Sequence, residues 1–225
     1  HLRQRLDAAE SRGEILGEIV LVPIANPIGL EQTLLHDAMG RFDFNSGENF
    51  NRRYPDLTAM IVQRIADELG SDPLENRRII RQAMIEALQR LQPGSEIDSL
   101  RQAQLLLAVD ADIVLDLHCD AEAALHMYAL PQHWPQWRSL SAHLNVKVGL
   151  LAEDSGGSSF DEACSLPWLR LSQQFPEAQI PLACLATTLE LGGQADTGRP
   201  QAEAHAAGIL AFLAEQGLIA EMLRM

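Results

Sequence analysis

Apolar positions along this chain alternate between short β-branched runs and longer stripes at helical spacing. Leu2, Leu6 and Ala9 fall on one helical face before Gly13 stops the pattern. Glu18-Ile-Val-Leu-Val-Pro-Ile24 then reads as a buried strand, closed by the turn residues Asn26-Pro27-Ile28-Gly29. Residues 30–56 show little periodicity and many Gly, Asn, Asp and Arg, which predicts a long loop; loops of that length are usually functional. Three helices follow. Leu57, Met60, Ile61, Ile65 and Leu69 mark the first, Asp72-Pro73 opens a second running to Leu91, and Ser95 with Asp98 opens a third ending near Ala108.

Beyond these helices, Asp112 to His118 and Ala124 to Leu130 read as strands, and His133 to Leu144 as a Trp-bearing helix. Val146 to Leu151 is a further strand, followed by a Gly-rich loop from Glu153 and a helix from Asp161 to Phe175 interrupted by Pro167. Ala183 to Leu191 is the last strand, ended by Gly192-Gly193, and an Ala-rich amphipathic helix spans Pro200 to Gln216. Strands separated by helices imply an α/β protein, a three-layer α/β/α sandwich around a mixed, largely parallel central sheet. No repeat, low-complexity tract or linker divides residues 1–225, so one domain is expected. Residue 1 is His and the helical pattern is already under way there, which predicts a chain truncated at its N-terminus.

Length and charge narrow the function. The 225 residues are 47% hydrophobic and 21% charged, an ordinary globular balance. Seventeen basic against 31 acidic residues give a net charge of −14, which argues against nucleic-acid partners. No apolar run approaches the roughly 18 residues a membrane span needs, and no signal-peptide pattern opens the chain. Cys119, Cys164 and Cys184 form no CxxC pair and are odd in number, so the expectation is a reducing, cytoplasmic protein without disulfides.

In open α/β sheets, ligands bind beyond the carboxyl ends of the strands. Asn26, the Asp116/His118 pair and Glu190 all sit at such ends. Asp116 and His118 are two apart and share a face, an arrangement suited to metal-assisted or acid–base chemistry. A histidine there is also a common structural residue, and Glu190 also fits a solvated strand end. Cys119 points away from His118, which argues against a Cys–His nucleophile. His126 and Tyr128 read as packing, and His133, His143 and His205 as solvent-facing helix positions. In the long loop, Arg41, Asn51, Arg52 and Arg53 concentrate positive charge in an acidic chain, which points to an anionic substrate group. Pairing with Asp43, Glu48 or Asp56 is the competing reading for Arg41 and Arg53. Asp154, Asp161 and Glu162, around the Gly-rich loop, could hold a cation, but loop and helix-cap roles are the preferred reading.

In this order, Asn26-Pro27-Ile28-Gly29, Arg41, Asn51-Arg52-Arg53-Tyr54-Pro55, Asp116-Leu117-His118 and Thr188-Leu189-Glu190-Leu191-Gly192 resemble the zinc carboxypeptidase superfamily. The likeness is greater to its succinylglutamate desuccinylase/aspartoacylase branch. The resemblance implies one zinc ion per chain with His118 as a ligand, and Glu190 as the general acid/base acting on the zinc-bound water. It also implies Asn51 and Arg52 as holders of the substrate carboxylate, and Arg41 as the group polarising the scissile carbonyl. The implied substrate is a small anionic N-acylated compound, with no nucleic acid or membrane partner, and the oligomeric state stays open. The family's His-x-x-Glu motif is missing: His1 is followed by Gln4 and His36 by Met39 at the third position. The remaining zinc ligands are therefore expected upstream of residue 1, and the family's smaller C-terminal β domain is not expected here. A deacylase of N-acyl amino acids is the leading reading. A carboxypeptidase-type peptidase and a metal-free binding module remain as alternatives.

Overall fold

The computed structural model describes residues 1–220. The protein is α/β, with a mixed, largely parallel central sheet and eight α-helices among the described residues. In chain order these are α1 (Leu2–Ser11), α2 (Pro27–Glu31), the hairpin β1 (Thr33–Leu34) and β2 (Asp37–Ala38), α3 (Leu57–Ile65), α4 (Pro73–Arg90) and α5 (Glu96–Ala108). They continue with β3 (Ile113–Asp120), β4 (His126–Ala129), a 3₁₀ turn (Pro131–His133), α6 (Trp134–Leu144), β5 (Val148–Leu151), α7 (Phe160–Gln174), β6 (Leu185–Gly193) and α8 (Arg199–Glu215). The sheet order is β3-β6-β4-β5, with β4 and β5 parallel.

The chain folds as two compact units. Among the described residues one comprises 1–23, 117–152 and 188–220, the other 24–116 and 153–187. In the second, α3 packs on α4 and α7, and α5 on α4 and α7. Ile61, Ile65, Ile80, Met84, Leu88, Leu105, Trp168 and Leu171 bury almost completely there. At roughly 1.5–3 kcal/mol for each fully buried large apolar side chain, this is the main source of that unit's stability. Its helices begin where the sequence places caps. The Asp56 carboxylate accepts from the amides of Thr58 and Ala59, Asp72 from those of Leu74 and Glu75, and the Ser95 hydroxyl from that of Asp98. In the first unit α8 packs on α6 and α1, with the Trp137 and Phe212 rings 5.8 Å apart.

Four local expectations change. Glu18 to Ile24 is not a strand, and Val20, Val22 and Ile24 are exposed. A β-branched run becomes a strand only where a neighbour takes up its backbone groups, and among the described residues none pairs with it. Residues 30–56 are more ordered than their composition predicts: the α2 turn, the β1–β2 hairpin and an antiparallel bridge between Phe42 and Asn49 organise them. Pro167 does not interrupt α7. Its missing N–H costs the helix, but Ala163 to Leu169 are all buried and hold it in place. His133 faces the core rather than solvent, with 0% of its surface exposed.

Candidate active site

Unit two gathers the polar loop residues. The bridge between Phe42 and Asn49, with the Phe50 amide donating to the Arg41 carbonyl at 3.2 Å, lays the Arg41 segment beside the one that carries Asn51 and Arg52. Asn51 Oδ1 accepts from the amide of Phe160, the first residue of α7, at 2.8 Å. Its amide NH2 is thereby left as the group able to donate elsewhere. Arg52 Nη1 donates to the Asn51 carbonyl at 2.6 Å, and its aliphatic stem lies on Gly157. Gly157 has φ +91°, and a Cβ there would stand 2.7 Å from Arg52 Cδ, so the glycine serves both the turn and the arginine.

The competing ion pairs sort the arginines. Arg53, at φ +60°, pairs with Glu48 at 2.7 Å, one of the acidic partners expected for it. Among the described residues neither Arg41 nor Arg52 makes an ion pair with a carboxylate; the Arg41 guanidinium lies 6.0 Å from the Phe42 ring centroid. The loop is held from beneath by Arg101, which is 3% exposed and reaches Glu48 at 3.0 Å, Asp98 at 3.2 Å and the Asn49 carbonyl at 3.2 Å.

The Gly-rich loop is a scaffold rather than a cation site. Glu162 Oε1 accepts from the Ser155 amide and hydroxyl, and its Oε2 from the Ser159 amide. Asp161 accepts from the Ser159 hydroxyl, and Asp154 pairs with Arg170 at 3.1 Å. The amides of Arg53 and Tyr54 donate to the carbonyls of Gly157 and Ser158, joining this loop to the Asn51 segment. Burial, reinforced by the Asp116 charge, pushes the Asp161 carboxyl and the Tyr54 phenol upward.

Unit one brings His118 and Glu190 together. Strands β3 and β6 are neighbours, and the Leu185 and Gln194 amides donate to the carbonyls of Asp112 and Ala121 with the same offset. In a parallel ladder that register sets Glu190 directly beside His118, both on one face. Consistent with this, the Cys119 thiol is pushed upward by burial and then by the Glu190 charge. After Glu190 the strand ends at Gly193, whose amide donates to Asp196 at 2.9 Å. Among the described residues no group of three His, Cys, Asp or Glu side chains could hold a metal ion. Zinc takes at least three protein donors, so His118 alone does not make such a site.

Sequence reading missed the supporting residues. Arg101 was findable, since it occupies the buried stripe of α5 with Ile97, Leu105 and Ala108, where a charge demands partners. Gln32 and Gln104, which bind loop carbonyls, carry no such signal in the sequence.

No protein-family model matches the sequence, and no curated protein does. Solved structures do. A protein assigned to the succinylglutamate desuccinylase/aspartoacylase family from Shewanella amazonensis SB2B is 31% identical with a TM-score of 0.80, over 98% of this chain and 61% of that one. A protein assigned as a succinylglutamate desuccinylase/aspartoacylase from Shewanella frigidimarina NCIMB 400 is 29% identical with a TM-score of 0.80, over 98% and 60%. One from Rhodobacter sphaeroides, 14% identical with a TM-score of 0.55 over 97% and 52%, shares the fold alone. The chain thus spans about three-fifths of the first two structures' length. No described helix is long and apolar enough to cross a membrane. The structural neighbours of this chain are succinylglutamate desuccinylase/aspartoacylase family proteins, and its fold is theirs.

Proposed function

We propose that the protein is a metal-dependent deacylase that hydrolyses the amide bond of an N-acyl amino acid or a related small carboxylate. The observation that carries this reading is Glu190 beside His118 at the carboxyl ends of adjacent parallel strands. A carboxylate next to an imidazole at that position suits proton abstraction from water. The second support is a loop that supplies a guanidinium and an amide without carboxylate partners, Arg52 and Asn51, suited to bidentate capture of a substrate carboxylate. The structural neighbours support a hydrolase of the deacylase kind.

In this proposal Glu190 takes the proton of the attacking water and returns it to the leaving amine. Arg41 stabilises negative charge growing on the carbonyl oxygen, while Asn51 and Arg52 fix the substrate by its carboxylate. His118 is proposed as one ligand of a zinc ion whose other donors lie outside the described residues. The three free cysteines suit a reducing compartment such as the cytoplasm.

Elemental analysis of the full-length protein and of its His118→Ala variant, beside a hydrolysis panel of N-acyl amino acids and short peptides, tests the reading. About one zinc per chain, lost in the variant, with release of amino acid from the N-acyl compounds, is the expected result. A folded protein with no bound metal and no hydrolysis would overturn it in favour of a binding module. Hydrolysis of peptides alone would favour a peptidase.

A further inference from the structure

The Asn26-Pro27-Ile28-Gly29 element has no part in the chemistry above, yet it reaches the Arg41 segment. Asn26 Oδ1 accepts from the Gly29 amide at 2.8 Å and caps α2, a task that Ser, Thr or Asp performs as well. Its Nδ2 makes a second bond that those residues do not offer, donating to the carbonyl of Gly40 at 3.2 Å. At the other end of α2, Gln32 Nε2 donates to the carbonyls of Met39 at 3.0 Å and Phe42 at 2.7 Å, and its Oε1 accepts from the Phe44 amide at 2.8 Å. With Phe50 bonded to the Arg41 carbonyl, four consecutive carbonyls from Met39 to Phe42 are each held. The approach is close: a Cβ on Gly29 would lie 2.7 Å from the Gly40 carbonyl oxygen.

This clamp is anchored to the core. Gln104 of α5 donates to the carbonyl of Ala25, the residue before Asn26, at 2.6 Å and accepts from the Tyr54 hydroxyl. So the Tyr54 that follows Asn51 and Arg52 is linked through Gln104 to the start of the clamp. The backbone on both sides of Arg41 is thereby fixed while its guanidinium is exposed and bonds to no described residue. Immobilising two side chains to order an exposed loop costs conformational entropy, and a helix cap alone does not require it. We propose that Asn26 and Gln32 are positioning residues, which hold the Arg41 backbone so that its side chain meets the substrate carbonyl in one orientation. This rests on the deacylase reading and on the role of Arg41 within it.

The test compares kcat and KM, on the N-acyl amino acid that turns over best, for wild type, Asn26→Asp, Gln32→Glu, Arg41→Ala and the Asn26→Asp/Arg41→Ala double variant. Asn26→Asp keeps the acceptor for Gly29 and replaces the donor to Gly40 by a carboxylate oxygen that the Gly40 carbonyl repels; Gln32→Glu keeps the acceptor for Phe44 and does the same toward Met39 and Phe42. Each is expected to lower kcat by ~10- to 100-fold with KM nearly unchanged, because the carboxylate is held by Asn51 and Arg52, and to unfold cooperatively at a modestly lower Tm. In the Arg41→Ala background Asn26→Asp is expected to have no further effect. A wild-type kcat for Asn26→Asp beside a slow Arg41→Ala overturns the positioning role and leaves the deacylase reading standing. Additive losses in the double variant, or a raised KM, also overturn it by showing a general structural effect. If Asn26→Asp does not fold, Gln32→Glu decides on the same criteria. A wild-type kcat for Arg41→Ala, or no hydrolysis by the wild type, removes the underlying reading itself.

Discussion

Asn51 and Phe160 lie 109 residues apart in sequence, yet the Asn51 side-chain oxygen accepts the first amide of α7 at 2.8 Å. That bond fixes which way the amide faces, so Asn51 caps a helix with one atom and presents NH2 with the other. The two tasks separate by mutation. Asn51→Asp retains an acceptor at a helix N-terminus, where negative charge is favoured, and loses the donor. Its stability is expected within about 0.5 kcal/mol of wild type, while KM for an N-acyl amino acid rises by ~10-fold or more. Asn51→Ala is expected to lose about 1 kcal/mol as well. Urea unfolding together with steady-state kinetics distinguishes the two.

Gly157 is expected to be as intolerant as the residues it serves. Gly157→Ala forces a Cβ into φ +91° and against the Arg52 stem. The expected cost is about 1–2 kcal/mol of stability, with KM raised because Arg52 must move. A Gly156→Ala control meets the same backbone strain at φ +83° with nothing near its Cβ. Equal KM values for the two variants would show that Arg52 does not depend on the contact.

Arg101→Met removes the buried cation that ties Glu48, Asp98 and the Asn49 carbonyl to α5. Its loss is expected to cost about 1–3 kcal/mol in charge-assisted hydrogen bonds and to release residues 48–51 to fast amide exchange. Hydrogen exchange at Phe50 and Asn51 reads this directly; unchanged protection there would assign the loop's order to other contacts.

His133 gives a pH dependence with a definite sign. Burial pulls its imidazole down to about 4, so the folded protein holds it neutral where the unfolded chain already binds a proton. Stability from this group is therefore complete above about pH 6.5 and declines as the pH falls toward 4. Between pH 7 and pH 5 the wild type is expected to lose about 2 kcal/mol more than His133→Leu. Parallel urea titrations of the two proteins check it; equal losses would mean the imidazole is hydrated in the fold.

Legibility in the sequence followed how local the physics was. Helix starts at Asp56, Asp72 and Ser95 were readable because a cap bonds amides two or three residues away. The pairing of His118 with Glu190 was readable as two strand ends, but their adjacency depends on β6 lying beside β3, which no local pattern states. Residues 18–24 failed for the opposite reason, since a strand-like run does not carry its partner with it. A helix beginning at His133 predicts a solvent-facing side chain, but a 3₁₀ turn ending at His133 precedes α6 and the imidazole is buried. The clamp around Arg41 depends on glutamine and asparagine amides meeting backbone carbonyls, a contact that leaves no periodic trace.

The role of Glu190 is where the reading is most exposed to test. Glu190→Gln keeps the shape of the side chain beside His118 and removes its ability to take a proton. Assayed on the N-acyl amino acid that the wild type hydrolyses, with bound metal measured on the same samples, the variant is expected to retain its metal and lose at least ~1,000-fold in kcat. Turnover within about threefold of wild type, with metal retained, would contradict Glu190 as the general base and with it the chemistry proposed for this site.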